Sequence, residues 1–167
     1  MTMLVAAIAA TVAAIVESTI TPYLRVGNAQ PHLLFVLAVV WTVAVGVDSG
    51  LVWAFVGGLA LDTLTQRPLG TTAFALLIVV GLTAAIIRPL SRLRPIAAIV
   101  IAALLSIPYS MTVVVLFSVL RPPAALSDPL RLIAPSVPYD IVVATILGPL
   151  AVSIHDRFRR DDERVPR

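Results

Sequence analysis

The chain has 167 residues, 59% of them apolar and only 13% charged, with a mean hydropathy of +1.02; this excludes an ordinary soluble domain and defines an integral membrane protein. About six spans with short loops fill such a length and leave no room for a soluble domain of about 100–150 residues. With no cysteine there are no disulfides, thiolates or Cys-based metal sites, and the net charge of +3 comes from twelve basic residues, all arginine, that do not gather on one face with interleaved aromatics, which argues against nucleic acid as a partner.

The apolar runs, cut at proline, glycine and charge, fall at about 3–21, 31–47, 50–64, 71–87, 96–120 and 134–155. The fold expected is an all-α, six-helix transmembrane bundle forming a single domain over 1–155, with a charged tail over 156–167. The first run has the small residues of a signal sequence but no basic segment before it, so it reads as a retained span. The second and third runs together would make about 50 Å of helix, well beyond a hydrocarbon core of about 30 Å. The chain is therefore expected to turn at Gly46-Val47-Asp48-Ser49-Gly50. That leaves a third span of about fifteen residues, only about 22 Å long, which must sit upright, in thinned lipid, or short of a full crossing. In the fifth run Pro108 removes a backbone hydrogen bond and is expected to kink the helix. The connection that follows holds Pro122, Pro123, Pro129, Pro135 and Pro138, too dense for a continuous helix, and reads as an outside loop.

Arginine placement sets the expected orientation, because cytoplasmic loops keep positive charge. Arg88, Arg92 and Arg94 share one loop, and Arg157, Arg159, Arg160, Arg164 and Arg167 share the tail. Two spans separate these groups, so both can be cytoplasmic, with Arg25, Arg67, Arg121 and Arg131 in the outside connections and both termini inside. Trp41 and Trp53 then flank one interface, and Tyr23 and Tyr139 the other.

Of the nine carboxylates, Asp128, Asp156, Asp161, Asp162 and Glu163 read as solvated charge beside arginine, and Asp48 as a turn residue. Glu17, Asp62 and Asp140 remain, and this topology brings all three toward the outer half of the membrane. They are either an outer polar cluster binding a cation or cationic ligand, or groups each satisfied locally. Asp140 lies at a favourable helix N-terminus, whereas Asp62, at a helix C-terminus, opposes the dipole and needs another donor, such as Arg67 or the amides around Pro68-Leu69-Gly70. Thr71 or Thr72 is the expected cap of the fourth helix. No metal or cofactor set is evident. His32 and His155 fall at opposite faces, so no Ser-His-Asp set is expected to converge and no enzymatic activity is expected. Ala54, Gly58 and Asp62, spaced by four with Gly57 alongside, make a small-residue face suited either to packing within the chain or to a partner helix.

The stretch from Pro31 through the polar turn into GLVWAFVGGLALDTLTQRPLGTTAFAL resembles the signature of the rod shape-determining MreD family: a proline-led span, G-x-x-x-G-L-x-x-D, a short loop and P-L-G before a small residue. Gly58, Leu59 and Asp62 are in register, Pro68, Leu69 and Gly70 close the pattern, and Ala54 stands where the family has its first glycine. The resemblance implies a multi-pass protein of the bacterial inner membrane, part of the cell elongation machinery. Such a protein binds MreC and, with it, helps couple MreB filaments to the wall synthases, a SEDS glycosyltransferase and a penicillin-binding protein. The family is also similar in helix arrangement to the S components of energy-coupling-factor transporters, which implies the alternative of a vitamin-binding subunit with its ligand at the outer mouth.

Overall fold

The computed structural model describes residues 2–24, 30–87, 94–120 and 135–162, with side chains described at 2–24, 30–87, 96–120 and 135–149. The described residues form six helices and no strand: α1 Thr2–Leu24, α2 Leu33–Ala44, α3 Val47–Leu64, α4 Thr71–Ile87, α5 Arg94–Leu120 and α6 Ser136–Asp162. Residues 88–93 of the expected arginine loop, Arg25, the proline-rich segment 121–134 with Asp128, and the tail from Glu163 onward lie outside the described residues.

The shortest helix is the middle of the bundle. Of the twelve residues of α2, nine are buried and none is exposed, and the helix touches each of the other five. A helix that is apolar all round is a core helix, and the face of α2 that reaches furthest outward, Leu33, Leu37 and Trp41, is itself partly buried. Around it, α1 packs on α3, α3 on α4, α4 on α5 and α5 on α6. Among the described residues α1, α3 and α5 are long and apolar enough to cross a membrane, while α2, α4 and the apolar part of α6 over Ser136–Pro149 are shorter.

Small residues set the closest approaches. Along α1, Ala6, Ala10, Ala13 and Ala14 form one buried stripe. A methyl built on Gly57 would stand 3.1 Å from the Ala10 Cβ and 2.9 Å from Leu34, and one built on Gly58 would land on the backbone of Ala73 in α4. At the other end of α3, a methyl on Gly50 would meet the Thr42 side chain. With lipid outside, such close backbone packing takes over much of the association that the hydrophobic effect supplies in water.

The turn between α2 and α3 is tighter than expected. Val45 and Gly46 make it, with Gly46 at φ +127°, which a side chain rarely adopts. Helix α3 therefore begins at Val47, and Asp48, Ser49 and Gly50 form its first turn rather than a loop. The extra turn brings α3 to 18 residues, about 27 Å, longer than the fifteen expected. Trp53 does not present its ring to the surroundings: it is buried, its indole nitrogen points at the Leu34 carbonyl at 3.4 Å, and its ring stacks on Trp41 at 4.9 Å. Tyr23, by contrast, is exposed. Helix α5 runs on through Pro108, and α6 continues to Asp162, so part of the expected tail is helical.

Candidate functional site

Glu17, Asp62 and Asp140 each bond amides at a helix start, that of α4 or that of α2, where the first amides lack an intrahelical acceptor. At α3 the chain stops in a Schellman arrangement. Gln66 takes a left-handed φ of +54°, its amide donates to the Thr63 carbonyl at 3.3 Å, and the Arg67 amide donates to the Asp62 carbonyl at 2.9 Å. This reversal points the Asp62 side chain at the start of α4. Gly70, at φ +92°, precedes α4 and has no side chain to cap it. Asp62 supplies the acceptor instead. Its Oδ2 takes the Gly70 amide at 2.9 Å, and both oxygens take the Thr72 amide at 3.1 Å.

Asp62 is fully buried, so the donor its dipole position requires is the next helix. Arg67 contributes its backbone amide and makes no ion pair with the Asp62 carboxylate. Neither threonine caps α4 with its own side chain. Thr71 donates its hydroxyl to the Pro68 carbonyl at 2.8 Å, and the Thr72 hydroxyl is buried without a partner.

The other two carboxylates converge on the start of α2. Glu17, 7% exposed, accepts the Leu34 amide at 2.5 Å from across the α1–α2 connection. Asp140, fully buried in the first turn of α6, accepts the His32 amide at 2.9 Å and meets His32 Nδ1 at 3.1 Å. The Ser106 hydroxyl of α5 donates to the same Asp140 oxygen at 2.5 Å. Tyr109 closes the group from one side, stacked on Phe35 at 4.7 Å with its ring edge-on to His32 at 5.4 Å.

A serine, a histidine and an aspartate thus do meet, contrary to the expectation from His32 and His155. The expectation failed because it placed the histidines by span ends alone and did not weigh Ser106, one turn of α5 from Tyr109. The order is nevertheless not that of a Ser-His-Asp triad: serine and histidine both bond the carboxylate, and the His32 ring does not stand between Asp140 and the buried Ser106 hydroxyl. Among the described residues no three His, Asp or Glu side chains stand close enough to hold a metal ion. His155 lies where side chains are not described.

The remaining residues singled out in the sequence divide by side. Ala54, Gly57, Gly58 and Asp62 are buried against this chain's own helices, Leu59 is half-buried, and Leu69 is exposed beside half-buried Pro68 and Gly70. His32, Ser106 and Tyr109 were not foreseen. The available signal for His32 was its place one residue before α2, directly after Pro31, where a side chain is drawn to the helix start.

The fold and these contacts define an all-helical protein of membrane-grade apolarity whose buried carboxylates serve to join helices. A family model described as rod shape-determining protein MreD matches residues 1–154. The chain belongs to that family, and its role lies in rod shape determination. No curated protein matches the chain. No solved structure matches it either, so the likeness to transporter S components rests on the family resemblance alone.

Proposed function

We propose that the protein is a non-enzymatic scaffold of the cell elongation machinery, seated in the bacterial inner membrane with both termini in the cytoplasm. It binds MreC directly and, through that complex, helps couple MreB filaments to a SEDS glycosyltransferase and a penicillin-binding protein. The family match over residues 1–154 carries this reading. Support comes from how the polar groups are used: Glu17, Asp62 and Asp140 bond helix-start amides, which is the chemistry of a rigid shape. In this reading the signature acts from within. Ala54, Gly57, Gly58 and Asp62 fix the spacing of α3 and α4, and Leu59, Pro68, Leu69 and Gly70 shape the turn. The outward side chains of that hairpin, Phe55, Leu69 and Phe74, all exposed, meet the partner helix. The vitamin-subunit alternative has no support from the comparisons.

The test is recovery of MreC with the detergent-purified protein at matched expression, alongside rescue of rod shape. Phe55→Ala combined with Phe74→Ala is expected to leave gel-filtration behaviour unchanged and to reduce MreC recovery. Full recovery with that pair rejects the proposed face, and a wild-type protein that recovers no MreC rejects the scaffold reading.

A further inference from the structure

A cavity of about 250 Å³ opens between the ends of α1 and α3, lined by Glu17, Thr21, Gln30, Leu61, Thr65 and Arg67 among others. Its polar groups are not used up by the fold. Glu17 gives one oxygen to the Leu34 amide, and its second oxygen has no partner among the described residues. The Thr21 hydroxyl is shielded and unpaired. The Arg67 guanidinium makes no hydrogen bond or ion pair among the described residues. The Thr65 hydroxyl, in contrast, is already committed to the Leu61 carbonyl at 2.7 Å.

One small cavity therefore holds an open carboxylate oxygen, an open guanidinium and an open hydroxyl. A purely anionic occupant meets Glu17 and a purely cationic one meets Arg67, so the complementary chemistry carries both charges. The volume lies below the roughly 300–1,000 Å³ of pockets for drug-sized molecules, which favours a compact polar head. Beside the cavity, Val12, Val16, Ile20 and Leu24 lie four residues apart on α1, all exposed, an apolar strip leading to the same end of the bundle. A polar head with acyl chains attached fits the two features together.

We propose that the cavity binds the headgroup of a phospholipid bearing a primary ammonium, of the phosphatidylethanolamine type. The ammonium bonds the open Glu17 oxygen and the Thr21 hydroxyl. The phosphate pairs with Arg67, whose planar fork suits phosphate oxygens, and Gln30 lies within the same lining. A quaternary ammonium has no N–H to offer Glu17, and a glycerol headgroup has no cation. The proposal is independent of MreC binding.

The delipidated full-length protein in a neutral detergent, titrated with phosphatidylethanolamine, phosphatidylcholine and phosphatidylglycerol of matched chains, is followed by native mass spectrometry. Phosphatidylethanolamine adducts are expected at about tenfold lower lipid concentration than the other two. Arg67→Gln and Glu17→Gln are each expected to erase the preference, and Thr21→Val to reduce it. Because Glu17 also holds the Leu34 amide, Arg67→Gln and Thr21→Val decide the outcome if Glu17→Gln does not fold. Equal retention of the three lipids, or an unchanged preference in Arg67→Gln, overturns the proposal. Free phosphoethanolamine is expected not to compete; displacement of the lipid by it at micromolar concentration assigns the cavity to a soluble ligand and overturns the lipid source.

Discussion

Asp62 offers a clean separation between an acceptor and a charge. In Asp62→Asn the side-chain carbonyl can occupy the Oδ2 position, where it still reaches the Gly70 amide at 2.9 Å and the Thr72 amide at 3.1 Å. The new NH2 group then faces the Thr72 amide, where Oδ1 now accepts at 3.1 Å. Hydrogen bonds to a charged group contribute about 1.5–3 kcal/mol and neutral ones about 0.5–1.5, so the loss expected is about 1–2 kcal/mol. Asp62→Leu strips both amides of their acceptor in a fully buried site. At about 1–3 kcal/mol per orphaned donor the loss is about 2–6 kcal/mol. Unfolding of the purified chain by SDS in mixed micelles, followed by helicity, reads both values. Equal losses for the two variants, or a leucine variant as stable as the wild type, would refute the view that Asp62 is the cap of α4.

Gly58→Ala places a methyl on the Ala73 backbone, which cannot rotate away, and is expected to cost about 1–3 kcal/mol in the same titration. Gly81→Ala is its control: a methyl there meets nothing within 4 Å on an exposed helical position, and a gain of about 0.5–1 kcal/mol is expected. Ser106→Ala leaves Asp140 with its two bonds to His32 and is expected to lose about 1 kcal/mol. Asp140→Leu orphans the His32 amide and the Ser106 hydroxyl together and should lose about 3 kcal/mol, measured by the same unfolding midpoint. Single cysteines placed at 92 or 162 in this cysteine-free chain should escape an impermeant thiol reagent applied to intact spheroplasts; labelling at either position rejects the cytoplasmic placement.

The sequence carried those features whose cause is local. Apolar runs marked the helices, and the unfavourable dipole at Asp62 demanded a donor that the structure supplies eight and ten residues downstream. The start of α3 was misplaced because Asp48, Ser49 and Gly50 resemble loop residues in composition, whereas Val45 and Gly46, the latter at φ +127°, complete the turn. The use of Glu17 and Asp140 was not legible. Both were read as groups satisfied near their own positions or gathered around a ligand, but Glu17 serves an amide 17 residues away and Asp140 one 108 residues away. Nothing in a pattern of spans says which helix start a buried carboxylate will face. The burial of Trp53 was hidden for a related reason: an aromatic ring near a turn gives no sign of facing inward until a central helix is known to lie against it.

The position of α2 has a consequence for how the protein is made. Twelve residues are too few to cross the bilayer as an independent span, and the His32 amide at its start finds its acceptor on Asp140, 108 residues later in the chain. At about 5–20 residues per second of synthesis, that interval is roughly 5–20 s. Throughout it the innermost helix exists without the group that ties down its first amide. The periphery of the bundle is therefore translated on both sides of its centre, and the centre is secured only when the last helix arrives. A chain interrupted before α6 keeps the Glu17 bond to the Leu34 amide but leaves the His32 amide, the outermost group of the central helix, without its acceptor.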